Sequence, residues 1–164
     1  MKIEKLSDKH KNQLKDLIQI TVKNLEKPEW LITLSDEEIE NIFDNPKVVM
    51  YGAIEENKLL AISGLFFDET DYLDIMQLLR IENYKVAEIA ECMTHPSARG
   101  NNLMLKINSI IMQDAKELGF EYLIATAHPD NISSNKSLSK LGMQNHSQIH
   151  RYGKYLRNCY IIKV

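Results

Sequence analysis

The residues best suited to chemistry lie in one run: Glu91-Cys92-Met93-Thr94-His95-Pro96-Ser97-Ala98-Arg99-Gly100-Asn101-Asn102-Leu103-Met104. Its first part alternates like a strand, its middle is turn-forming, and its end opens a strongly periodic helix. Such a turn presents free backbone N–H groups at a helix N-terminus, which is an anion site, and Arg99 adds a full positive charge. Other candidate chemistry is weaker. Cys92 with His95 as its base would make a nucleophilic pair, but residues three apart on a strand point opposite ways. His146 and His150 have the spacing of a helical metal site. Their segment reads as strand, which would hold them roughly 13 Å apart, too far to share a metal.

The elements that must position this run alternate in type. Lys2–Leu6 reads as a short strand, and Ser7 or Asp8 can cap a helix carrying Leu14, Leu17, Ile18, Val22 and Leu25 at helical spacing. Lys27-Pro28 stops it, because the residue before proline is pushed out of the α region. Ser35-Asp36-Glu37-Glu38 is a capping box opening a short helix through Ile39, Ile42 and Phe43. After the break at Asn45-Pro46, Val48–Ile54 and Leu59–Phe67 form two strands around the polar connector Glu55-Glu56-Asn57-Lys58, an expected antiparallel hairpin. Asp71–Ile81 is a further helix and Val86–Thr94 a buried strand. Leu103–Leu118 is a helix with one apolar stripe, closed by Gly119 as a left-handed cap. Tyr122–Ala127 is a buried strand, Ser133–Leu141 a helix closed by Gly142, and Met143–Val164 two strands about Tyr152-Gly153-Lys154. This order predicts an α/β protein with a mixed sheet.

Composition bounds the function. The chain has 164 residues, of which 44% are hydrophobic and 26% charged, as expected for one domain over residues 1–164 with a real core. The 20 basic against 23 acidic residues exclude a strongly basic nucleic-acid binder. Two cysteines, Cys92 and Cys159, support neither a disulfide framework nor a thiolate metal site, and no metal is expected. No apolar signal region follows the first lysines, and the longest apolar stretch, Leu59 to Phe67, is far short of a spanning helix. The expectation is a soluble cytoplasmic protein with no membrane partner.

The run from Glu91 to Met104 resembles motif A of the GNAT superfamily of acetyl-CoA-dependent N-acetyltransferases. There a strand ends in Val-x-Pro and is followed by x-x-Arg-Gly-x-Gly-x-Gly/Ala and a helix; Thr94-His95-Pro96 and Arg99-Gly100 match. Asn102 stands at a motif glycine, and asparagine is the next-best residue for a left-handed turn. Met104 stands where Gly or Ala is usual, as a long side chain does in the Arg-Gly-Asn-Gly-Leu-Gln subgroup. His128-Pro129-Asp130-Asn131 and Lys140-Leu141-Gly142-Met143 are similar to motif B, with Asn131 at its Asn, Ser134 at its Ala and Leu138 at its usual Tyr. Tyr152-Gly153-Lys154-Tyr155-Leu156-Arg157 resembles the Tyr-Gly-Gly-x-x-Arg ending of the same subgroup.

The resemblance implies a mixed, mostly antiparallel central sheet flanked by helices. It implies transfer of acetyl from acetyl-CoA to a primary amine by direct attack, the acceptor being a small-molecule or peptide amine; a homodimer stays open. For acetyl-CoA it implies main-chain contacts from Met93 and Thr94, phosphate contacts at Arg99, Gly100, Asn101, Asn102, Leu103 and Met104, and further contacts at Asn131 and Ser134. Amine attack needs a base, and Glu91 and Glu88 lie on the strand that would flank the acetyl group. Three residues apart on a strand they face opposite sides, so only one would see the site; Glu91, nearer the loop, is preferred. Leu138 leaves the usual general-acid position vacant or moved. Tyr152 and Tyr155 read as ordinary hairpin aromatics, the alternative being that one of them supplies the missing acid. The alternative is a catalytically weak CoA- or acyl-CoA-binding module. The acceptor pocket is expected to be built by the N-terminal helices and the Asp71–Ile81 segment.

Overall fold

A computed structural model describes residues 1–164. The strands are β1 (Lys2–Lys5), β2 (Val48–Glu55), β3 (Lys58–Phe66), β4 (Val86–Thr94), β5 (Tyr122–Ala127), β6 (Gln144–Arg151) and β7 (Tyr155–Lys163). The helices are α1 (Lys11–Lys23), α2 (Asp36–Asn41), α3 (Leu73–Leu79), α4 (Leu103–Glu117) and α5 (Ile132–Lys140). The strands form one seven-stranded sheet in the order β1-β2-β3-β4-β5-β7-β6. Every neighbouring pair is antiparallel except β4–β5, which is parallel and joined by the α4 crossover. The expected mixed, mostly antiparallel sheet flanked by helices is therefore what the chain forms.

Strand alternation sorts the core onto two faces. On one face Leu103, Ile107, Ile111 and Ala115 of α4 and Leu138 of α5 pack on Leu65, Ala87, Leu123 and Ala125. On the other, α1 and α2 bring Leu14, Leu17, Ile18, Ile39 and Ile42 against Met50, Ile62 and Met93. Beside them α3 packs Ile75, Met76 and Leu79 on Val86, Ile124 and Cys159. No helix is long and apolar enough to cross a membrane.

Local chemistry explains most boundaries. The capping box forms: Ser35 Oγ accepts from Glu38 N at 3.2 Å, and Glu38 Oε2 accepts from Ser35 N at 2.7 Å. Glu56 and Asn57 both adopt positive φ, 48° and 60°, giving the tight turn between β2 and β3. Two expectations need correction. Ser7 opens a 3-10 turn, Asp8–His10, before α1 begins. The Asp71–Ile81 helix is shorter, a 3-10 turn at Glu69–Asp71 and then α3, which Arg80 ends in a left-handed conformation at φ 58°. No glycine marks that stop.

The sheet carries one defect that matters for function. β4 and β5 are paired only at their first residues, Val86↔Tyr122, Ala87↔Leu123 and Glu88↔Ile124. Beyond Glu88 they part. On its other edge β4 pairs Ala90 with Gly64 but Met93 with Ile62, so it holds one extra residue there. This is a β-bulge, and Glu91 within it sits at φ 55°. A bulge bends its strand and strengthens its twist, which draws β4 away from β5.

Candidate active site

The gap between β4 and β5 opens into a cleft of about 610 Å³ that runs through the sheet plane. One end is the turn before α4. Gly100 there has φ 83°, and Asn102 adopts the left-handed conformation at φ 55°, ψ 28°. Asparagine thus supplies the turn geometry that the motif assigns to glycine. Asn101 Nδ2 donates to Ala98 O at 3.1 Å and ties the turn back on itself. Arg99 makes no ion pair within the protein, and it lines the cleft together with Gly100, Asn101, Asn102, Leu103 and Met104. Met93 and Thr94 line the same cleft from β4, and Asn131 and Ser134 from the start of α5. Asn131 Oδ1 also caps α5, accepting from Ser134 N at 3.2 Å.

The other end lies on the α1/α2 face. The bulge overturns the expectation that Glu88 and Glu91 face opposite sides. Glu88 pairs with Phe66 and Met93 with Ile62, all on this face, and the extra residue brings Glu91 there too. Cys92 is turned instead to the α4 face, where Ser63 Oγ lies 3.2 Å from its Sγ. His95 Nδ1 accepts from Ser97 N at 3.2 Å, a local turn contact that leaves Cys92 without a base. Burial raises the Cys92 thiol pKa, so it stays protonated.

The two carboxylates differ in their partners. Glu88 is buried against Arg151 of β6, with Nη1–Oε1 at 2.5 Å and Nη2–Oε2 at 3.5 Å. Arg151 also donates to Thr126 Oγ1 of β5 at 3.1 Å and to Asp71 O at 3.4 Å. It therefore bridges the floor of the cleft where β4 and β5 part. Glu91 has no cationic partner. Its Oε2 accepts from Thr33 Oγ1 at 2.8 Å, and the nearby Leu34 N–H also favours its charged form. Burial pushes its pKa up to about 7, against the pull of those two donors.

Several residues of this end carry no local sequence signal. Tyr152 heads the β6–β7 turn at φ 54°. Its ring stands 5.1 Å from the Arg151 guanidinium and 5.8 Å from that of Arg157, and it lines the cleft, so it is more than an ordinary hairpin aromatic. Thr21, Asn24, Leu25, Trp30, Leu31 and Ile32 close the cleft from α1 and the loop after it. The helix expected to share this task does not: α3 lies under β4, β5 and β7 and lines no part of it. Leu138 is 4% exposed and forms part of the cleft wall while packing in the α4-face core, so a phenol there would have to displace packed neighbours. His146 and His150 are on β6, as the strand reading requires, and no cluster of three His, Cys, Asp or Glu side chains is placed to hold a metal.

A turn with a helix N-terminus and an unpaired arginine at one end of a cleft, and a desolvated carboxylate at the other, joined through a parted pair of parallel strands, suit a two-substrate group-transfer enzyme. The sequence pattern of the acetyltransferase (GNAT) family matches residues 15–143, and the chain belongs to that family. It is an acetyl-CoA-dependent N-acetyltransferase. Solved structures agree in fold. An N-acetyltransferase from Staphylococcus aureus superposes with TM-score 0.75 at 18% identity, covering 99% of this chain and 96% of that one. A ribosomal-protein-alanine N-acetyltransferase from Brucella melitensis gives 0.78 at 15% identity, covering 100% of both. Arabidopsis thaliana NAA60 in complex with acetyl-CoA gives 0.77 at 9% identity, covering 99% and 98%. No curated protein sequence matches the chain.

Proposed function

We propose that residues 1–164 act as one catalytic domain in which acetyl-CoA lies in the gap between β4 and β5 and a primary amine enters from the α1/α2 face. The pyrophosphate lies on the N–H groups and guanidinium of the Arg99–Met104 turn, with Asn131 and Ser134 beside it. The β4 edge freed by the splay, at Met93 and Thr94, offers main-chain groups to the pantetheine amides. Glu91 takes a proton from the amine, directly or through one water. The amine nitrogen then attacks the thioester carbon, the C–N bond forms, and the C–S bond breaks. Glu88 is excluded as the base by its ion pair with Arg151. The departing thiolate needs no dedicated acid, since an ordinary thiol has a pKa of ~8.5 and leaves tolerably near neutrality. Leu138 at the usual acid position is thus compatible with turnover.

The observation carrying this reading is the bulge, which aims an uncompensated carboxylate of neutral-range pKa into the cleft. A left-handed non-glycine residue costs roughly 1–2 kcal/mol, and such strain is characteristic of functional positions. Turnover with a panel of primary amines tests the activity; a protein that binds CoA and acetylates none of them would be the binding module instead. Calorimetric titration tests the cradle. Arg99→Ala is expected to weaken CoA by ~1–3 kcal/mol, the worth of a charge-assisted phosphate contact. Unchanged affinity would sink the assignment. Asn102→Gly is expected to keep CoA affinity, because glycine adopts the same left-handed turn without strain; a marked loss would mean that the Asn side chain itself touches the ligand.

A further inference from the structure

Two arginines stand near the Glu91 end of the cleft, Arg157 in its wall and Arg151 behind Glu88, and they are treated differently. Arg151 is matched by the Glu88 carboxylate. Arg157, on β7, is only 3% exposed and has no carboxylate within ion-pair distance. Its Nη1 donates to Leu156 O at 3.0 Å and its Nη2 to Glu29 O at 2.6 Å. A guanidinium has five N–H donors, so most of the fork has no protein partner. The Tyr152 and Tyr155 rings lie 5.8 and 5.6 Å from it. Those ring faces attract the cation but supply no paired anion, while burial and the like charge of nearby Arg151 disfavour it. Burying a cation without a counter-ion is costly, and an arriving anion would offset that cost. Arg157 lines the same cleft as Glu91.

We propose that the acceptor is a small amine that also carries a carboxylate, an amino-acid-like molecule, and that Arg157 binds that carboxylate while Glu91 faces the amine. This rests on the assignment of the α1/α2 end of the cleft to the acceptor. The fork geometry of a guanidinium fits a planar carboxylate with two parallel hydrogen bonds. A polyamine fits poorly: its second cation would meet Arg157, while Glu88 is already paired.

The test compares matched acceptors on the wild-type protein: each amino acid against the amine lacking only the carboxylate, such as lysine against 1,5-diaminopentane and phenylalanine against 2-phenylethylamine. For the best side chain, kcat/KM is expected to be at least ~10-fold higher with the carboxylate present, the discrimination that losing a charge-assisted pair gives. Arg157→Gln should abolish that preference, and Arg157→Lys should retain part of it. Because Arg157 also holds Glu29 O, the variants could loosen the loop. A second measurement therefore uses wild type alone. Trp30, the single tryptophan, lines the cleft, and its fluorescence reports binding of N-acetyl amino acids against their C-terminal amides at saturating CoA. Tighter binding of the acids supports the proposal even without turnover, in which case the catalytic reading fails and this one stands. Equal or better turnover of the decarboxylated amines or of peptide N-termini, a preference that survives Arg157→Gln, or equal binding of acid and amide overturns it, and leaves the transferase reading intact wherever an amine is acetylated.

Discussion

Glu91→Gln is expected to lower kcat by roughly 10²–10⁴-fold, the contribution of a positioned general base, with CoA affinity little changed. The pH profile is the sharper readout. In the wild type, kcat/KM should rise with pH as Glu91 ionises near 7, because only the carboxylate can accept a proton. A free alkyl amine ionises well above that, so its own limb is separate. The acid limb near 7 should vanish in the glutamine variant. The amide also changes the contact with Thr33, since it replaces one carboxylate oxygen by a donor, so Glu91→Asp serves as the control that keeps the charge. Thr33→Val should move the limb upward, since the Thr33 hydroxyl is a donor that holds the pKa down. A limb that persists unchanged in Glu91→Gln would mean that another group takes the proton.

The turn proposed to hold the cofactor was legible in the sequence as a turn because its backbone requirements are local. A left-handed turn asks for Gly or Asn at fixed positions, and Gly100 and Asn102 stand there, just before an apolar stripe of helical period. The caps at Gly119 and Gly142 are legible for the same reason, and the hairpin about Glu56-Asn57 from its polar connector between two apolar runs. The acceptor end was not. The bulge at Glu91 arises from how β4 registers on β3, and Glu-Cys at that place has no local signature. Strict alternation therefore put the two carboxylates on opposite faces. The Glu88–Arg151 pair spans 63 positions of sequence, and the Arg157–Glu29 contact spans 128. Arg80 ends α3 without a glycine, a stop imposed by packing rather than propensity. Helix amphipathicity showed that α3 is buried on one side, but not that its partner is the β4–β5–β7 face rather than the cleft.

Arg151→Met should be the most destabilising change at this site, by ~3–5 kcal/mol at pH 7.5, because it leaves Glu88 buried with no counter-charge. For a chain of this size that corresponds to a fall of about 6–20 °C in Tm. The dependence on pH follows from Glu88. Burial already raises its folded-state pKa, against the pull of Arg151, and removing the arginine raises it further. A carboxyl whose folded pKa lies above its unfolded value contributes stability below the unfolded pKa and loses it as pH rises through the folded one. Relative to wild type, the variant should therefore regain up to ~1.4 kcal/mol for each unit of acidification between its own folded pKa and the lower folded pKa of the wild type. Its deficit is greatest above the folded pKa and shrinks toward pH 5. The double variant Arg151→Met, Glu88→Leu removes both charges and should recover most of the loss, since apolar replacement of a buried pair is commonly neutral or better. Urea unfolding of the three proteins at pH 5 and pH 7.5 measures this. Recovery in the double variant, with an acid-rescued single variant, would mean that the pair closes the cleft floor mainly by cancelling charge. A single variant as stable as wild type at pH 7.5 would mean that the parted strands are held together without it.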